Sequence, residues 1–435
     1  MRSIGIVGAG QAGVVLAAAL HRDGHQVTLY SDRTPEQYLA GRARPSACLF
    51  GDQVAYERKL GLDFWREQAP PITTARLDLG IAGRMVALSV NAPMRTPALA
   101  VDQRLKFAHG MRELALRGVR VVIETVTPQR LDEIAATHDL VVVTTGRQGP
   151  VGALFRPDRS RCSGAGPRRA LFMMCLRDCG LDSGPQANEL RFSFVPGVVE
   201  VFWIPFYDKD VGPCRNVLLE AVPGGPADRF AGVRGTGQAV AALRRVVREL
   251  LPWENEVLDP ATPTSDQCWL TGAVSPTVRE PVAVLPSGRH VLGLGDTVVL
   301  NDPIAGQGAN NATRMARFFA QRITARGERP FDAAWLTEQF DQFWEYGRLV
   351  NEFSELLLEP LRDFQRDVML AASRHPSIGT ALFGGFEDPA SVFPWFVDRR
   401  ASKLFLAQHG VRPLDVLGTK LGVLGRVLSQ RLPWA

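Results

Sequence analysis

The sequence predicts an α/β protein. A parallel, dinucleotide-binding layer is assembled from separate stretches of chain, an antiparallel sheet is inserted into it, and a helical region closes the C-terminal end. Three observations predict this. A short apolar run at 4–7 meets Gly8-Ala9-Gly10-Gln11-Ala12-Gly13, then a small-residue helix to Leu20 and a strand-like run at 26–30. A second strand–loop–helix pattern occupies 288–326. Between them, short runs at 170–176, 189–194, 198–204 and 216–221 have antiparallel strand character.

Each element follows in turn. Gly24 closes the first helix, which completes a βαβ unit. Residues 70–100 alternate weakly and carry Pro70, Pro71, Pro93 and Pro97, a composition that suits short edge strands. A helix is expected at 101–117 on apolar Leu105, Met111 and Leu114. Buried strands follow at 119–123 and 140–144, the second running into Thr144-Thr145-Gly146. One helix at about 237–251 interrupts the antiparallel runs. Trp335, Leu336, Gln339, Phe340, Phe343, Trp344 and Gly347 recur at helical spacing, and Pro360, Pro376 and Pro394 divide the tail into short helices. The expected divisions are 1–165 for the first part of the dinucleotide-binding domain, with an excursion at about 65–100; 166–285 for the sheet; 286–330 for its second part; and 331–435 for the helical region.

Composition narrows the function. The 435 residues are 46% hydrophobic and 22% charged, an ordinary globular balance. The net charge of +5 is spread over 50 basic and 45 acidic residues without a like-charge run, so no nucleic-acid partner is expected. No apolar run is long enough to span a bilayer, and residue 3 already enters a strand; no membrane partner and a cytoplasmic location are expected. The six cysteines (Cys48, Cys162, Cys175, Cys179, Cys214, Cys268) form no CxxC pair, so neither a metal site nor a disulfide framework is expected.

Two motifs carry the chemistry. In the turn Gly8–Gly13 glycines allow a tight bend and close backbone approach to a pyrophosphate, while the next helix offers free N–H groups. An acidic residue is expected about 20 residues on, at the end of the second strand, for a ribose hydroxyl. Here stands Tyr30-Ser31-Asp32-Arg33. Either Asp32 reaches the ribose, or Ser31 and Arg33 bind the adenosine end differently, or Asp32-Arg33 is a solvated turn. In the second motif a buried strand delivers Gly295-Asp296, and Asn301-Asp302-Pro303-Ile304-Ala305-Gly306-Gln307-Gly308-Ala309-Asn310-Asn311 opens a helix.

This pair resembles the motifs of the glutathione-reductase-type FAD monooxygenases. The resemblance implies a Rossmann-like FAD-binding domain of the aromatic-hydroxylase type. Asp296 would contact the ribityl or pyrophosphate, and the helix after Gly306 and Gly308 would meet the flavin's pyrimidine edge, with Pro303, Ala309 and Asn310 nearby. Arg104, in Val101-Asp102-Gln103-Arg104, would touch the flavin or its phosphates, and Gly146 would lie beside the cofactor. More narrowly, Ser3–Arg33, Val101–Arg104, Asp139–Gly146 and Gly293–Asn311 resemble the oxygenase component of styrene and indole monooxygenases. That implies a two-component system. A separate NAD(P)H:flavin reductase supplies reduced FAD; O2 is the co-substrate; a C4a-hydroperoxyflavin epoxidises or hydroxylates an aromatic alkene or indole-like substrate. No side-chain catalyst is then required, and a homodimer is compatible.

The resemblance places the substrate pocket at Ala47, Leu49, Ala98, Trp203 and Pro303. Cys48-Leu49-Phe50 and Ala98 lie nearer the indole group than the styrene group. Flavin halogenases carry Trp-x-Trp-x-Ile-Pro where this chain has Glu200-Val201-Phe202-Trp203-Ile204-Pro205, which disfavours halogenation. Two alternatives stay open: a single-component NAD(P)H-dependent aromatic hydroxylase, and a non-catalytic flavin-binding protein.

Overall fold

The computed structural model describes residues 1–146, 149–162 and 166–429. The expected boundary at 165/166 and the last six residues of the C-terminal region touch positions outside those described. The chain divides into two compact units. One gathers Met1–Arg66, Val101–Pro167 and Val274–Glu355; the other gathers Glu67–Ala100, Arg168–Ala273 and Leu356–Ala435.

The first unit is built on a six-stranded sheet in the order Val282–Val284, His290–Gly293, Leu140–Val143, Ser3–Val7, Gln26–Ser31, Arg120–Ile123. All pairings are parallel except the first. Leu140–Val143 is buried throughout, as a parallel strand covered on both faces must be. The helix Gln11–Arg22 is buried from Ala12 to Leu20 because it is apolar nearly all round. The helix Gln307–Arg326 packs beside it: a Cβ built on Gly295 would meet Ala12 and Ala312 together. The helix Gln103–Leu116 also closes on Gln11–Arg22, with Gly110 against Val14.

The second unit holds a sheet in which Ala170–Arg177, Gly212–Ala221, Val199–Asp208, Glu189–Val195, Ile72–Ile81 and Met85–Ala100 follow in order. The neighbours are antiparallel, apart from the parallel pair Ile72–Ile81 with Glu189–Val195. Residues 70–100 are thus two long strands and not the short ones expected. The prolines are accommodated by irregularity. Pro93 sits where the register slips between Ile72/Ala98 and Thr74/Pro93, so its missing N–H breaks no regular ladder. Its carbonyl accepts from Thr380 Oγ1 at 3.1 Å. The tail is helical, and Pro376 opens Pro376–Glu387 at its first turn. No helix among the described residues is long and apolar enough to cross a membrane.

Inside this sheet Arg169 and Glu200 form a buried two-pronged ion pair, at 2.7 and 2.8 Å. Arg169→Met leaves Glu200 charged and unpaired in the interior, and we expect it to cost about 3–5 kcal/mol. Adding Glu200→Leu restores most of that. Urea denaturation of the two variants against the parent measures both numbers.

Candidate flavin site

Parallel strands deliver their following loops to one edge of the sheet. Ser3–Val7 and Leu140–Val143 are neighbours whose chains continue to opposite sides, so the crevice between them is the switch point where such sheets take ligands. Three loops meet there. The Thr144 hydroxyl donates to the Gly8 carbonyl at 2.8 Å. The Gly146 N–H donates to Thr297 Oγ1 at 3.1 Å, which ties the loop after Val143 to the turn Gly295–Thr297. Gly8 has φ +117°, and a Cβ there would lie 2.6 Å from the Thr144 carbonyl. A Cβ on Gly13 would lie 1.9 Å from the Gly8 oxygen. Both contacts require glycine.

Two helices begin at this edge without a capping side chain. Gly10 precedes Gln11–Arg22 and Gly306, in the left-handed region, precedes Gln307–Arg326. Neither first turn carries an acidic residue. Their free N–H groups and positive dipole ends face an anion without competition. A Cβ on Gly10 or Gly308 would meet nothing within 4 Å, so the backbone there is open to close approach.

The other expected residues fall as follows. Ala9 and Ala12 are buried beside the turn. Gln11 turns its amide inward, donating to Glu57 at 2.7 Å and Thr313 at 2.9 Å. Ser31 is buried at its strand end, and its hydroxyl donates to the Arg33 carbonyl. Asp32 is exposed and pairs with Arg33 at 3.7 Å. Arg104 is buried, not solvated: Asp102 receives its guanidinium at 2.5–3.0 Å and Gly41 receives Nη1 at 3.1 Å. Asp296 is exposed in the turn Gly295–Thr297. Asn310 spends its amide on the protein. Its oxygen accepts from the Phe50 N–H, and its nitrogen donates to the Cys48 and Gly306 carbonyls at 2.8–2.9 Å. Asn310 therefore staples the segment holding Ala47 and Leu49 to the loop holding Pro303 and Gly306. Ala98 and Trp203 belong to the other unit and are buried in it.

Two residues escaped selection. Asn301 and Asn311 are buried, yet neither amide oxygen nor amide nitrogen has a partner. Both flank the second motif. Polar side chains in a stretch of small and apolar residues were the available signal. An amide sealed away unpaired costs about 1–3 kcal/mol, which a polar ligand at this edge would offset. Open glycine backbone, uncapped helices and orphaned amides are the donor set that FAD, with its pyrophosphate and polar ring edge, would need.

Among solved structures, the flavin-dependent brominase Bmp2 superposes with a TM-score of 0.63 over 94% of this chain and 99% of that one, at 14% identity. The halogenase PltM in complex with FAD gives 0.61 over 99% and 93%, at 11% identity. At such identities the likeness is one of fold. The model described as the styrene monooxygenase A putative substrate binding domain matches residues 146–256. Styrene monooxygenase StyA of Pseudomonas fluorescens is 30% identical over 336 residues, 74% of this chain and 78% of that protein. Fold, site and likeness define a flavin-dependent monooxygenase. Identity extended over three quarters of the chain makes the assignment narrower. The chain belongs to the styrene monooxygenase family, as an oxygenase component.

If the orphaned amides serve the cofactor, Asn311→Leu relieves the ligand-free protein and harms the complex. We expect a higher melting temperature without flavin and at least about tenfold weaker FAD binding, by thermal scan and flavin fluorescence titration. The thiols give a second test. All six cysteines are buried and free, and burial pushes the Cys48 thiol up to about 12. At pH 8 Cys48 stays protonated and shielded. A chromogenic disulfide reagent is expected to label none of the six until guanidinium unfolds the chain.

Proposed function

We propose that this chain takes reduced FAD from a separate NAD(P)H:flavin reductase and, with O2, oxygenates the π bond of a small aromatic alkene or indole-like substrate. The observation that carries the reading is the convergence of two uncapped, acid-free helix N-termini at one edge of the parallel sheet. Such a pair suits a cofactor with one anionic pyrophosphate and one ring edge that becomes negative on reduction.

Bound flavin supplies the oxygen-activating chemistry. The chain's residues bind and orient. The N–H groups following Gly10 receive the pyrophosphate, with Gly8, Ala9, Ala12 and Gly13 shaping the turn. Ser31, Asp32 and Arg33 stand at the adenosine end. Asp296 accepts from a ribityl hydroxyl, and Gly146 and Arg104 support the loops around it. Gly306, Gly308 and Ala309 present backbone to the ring edge. Ala47, Leu49 and Pro303, joined through Asn310, form an apolar wall that admits a planar hydrocarbon and keeps water from the reacting atoms. Shape alone separates such substrates by only about 1–3 kcal/mol per methylene-sized difference, so styrene and indole are both candidates.

The test supplies the pure protein with chemically reduced FAD, O2 and either styrene or indole, and separately with oxidised FAD and NADPH or NADH. Oxygenated product in the first case and none in the second is expected. Product from the nicotinamide nucleotides alone overturns the two-component reading in favour of a self-reducing hydroxylase. No product with either substrate in either case, despite FAD binding, removes the proposed substrate class.

A further inference from the structure

We propose that the helix Pro413–Ser429 is the seam of a homodimer, in which it packs antiparallel against the same helix of a second copy of this chain. The inference is independent of the oxygenase reading. Leu414, Leu417, Leu421, Leu424 and Leu428 repeat at intervals of three, four, three and four, the a/d spacing of a coiled coil. All five are 47–73% exposed, and they account for most of the large exposed apolar side chains among the described residues.

The opposite face of the helix is anchored. Val416 is buried, and Arg426 donates to the Ala87 carbonyl at 3.2 Å. The leucines therefore face outward because the inward positions are already taken. Gly418, Gly422 and Gly425 interleave with them, and a Cβ on any of the three would meet nothing within 4 Å. Small residues beside an apolar seam let a second helix approach closely. Each glycine also costs about 1 kcal/mol of helix propensity relative to Ala, a cost that isolated surface helices do not need to carry.

The occupant follows from self-complementarity and charge. A leucine seam matches a copy of itself. The helix carries one acid, Asp415, near its start, and two bases, Lys420 and Arg426, further along. A parallel pair would set like charges side by side. An antiparallel pair brings Asp415 of one copy towards the basic half of the other and opposes the helix dipoles. The seam offers roughly 400–500 Å² of apolar surface per helix, as much as the largest patch of a typical monomer. Doubled across a two-fold axis it reaches roughly 1,000 Å², the threshold of a specific interface.

The experiment measures the mass of the full chain by light scattering across a concentration series, for the parent and for L417K/L421K/L424K. We expect a dimer for the parent, a monomer for the variant with an unchanged melting temperature, and at least about 100-fold weaker association. Hydrogen exchange provides the second readout: amides of 413–429 in the parent should gain protection as concentration rises, whatever the variant's folding. A monomeric parent overturns the proposal, and flotation of that monomer with phosphatidylcholine vesicles would assign the helix to lipid instead. A variant that remains a dimer, or exchange at 413–429 that ignores concentration, also overturns it.

Discussion

The close approach of the Gly13 backbone to the Gly8 carbonyl sets the rest of the site. A single Cβ would stand 1.9 Å from that oxygen, so only glycine lets the helix Gln11–Arg22 start directly against the end of its strand. The approach aims the first N–H groups of the helix at the carboxyl edge of the sheet. It also brings Gly8 within reach of the Thr144 hydroxyl, which joins the two strands flanking the switch point. Loosen that contact and the loop after Val143 loses its register with the first turn, and through Gly146 and Thr297 so does the turn carrying Asp296.

From this edge the polar groups sort into two kinds. Gln11, Arg104 and Asn310 look like ligand contacts in one dimension, yet their side chains are spent holding the protein together. Arg104 is an instructive case. A buried guanidinium needs a carboxylate, and Asp102 two residues earlier both caps the helix and neutralises it. Asn310 contributes by joining Phe50 and Cys48 to the loop at Gly306. The groups left unpaired are Asn301 and Asn311 and the two helix starts, and these have the capacity to meet a cofactor.

How much of this is readable in one dimension follows from range. The βαβ unit and the second motif are local patterns of period and glycine, and their strands and helices lie within a few residues of where periodicity puts them. The two long strands over 72–100 are not readable so directly, because prolines argue for interruption and only the three-dimensional register slip shows how Pro93 is tolerated. Which asparagine of the Asn310-Asn311 pair faces the protein depends on contacts 260 residues distant, beyond any local signal. Arg104 is readable as a special residue, but its partner's burial is not.

The relation to the halogenase fold turns on Glu200. Where halogenases place the first tryptophan of Trp-x-Trp-x-Ile-Pro, this chain has a carboxylate on the strand Val199–Asp208. Exposed, it would be an idle substitution. Buried and gripped on both oxygens by Arg169, it is part of the sheet's interior. A tryptophan could enter only if the arginine left, and the arginine alone would be an uncompensated charge. The two solutions are therefore separated by at least two coupled changes on adjacent elements, while the layers around them superpose. Fold likeness at 14% identity and a different chemistry at the strand are compatible for that reason: the backbone layers tolerate either interior, but one pair of residues cannot drift into the other by single steps without an unpaired charge between them.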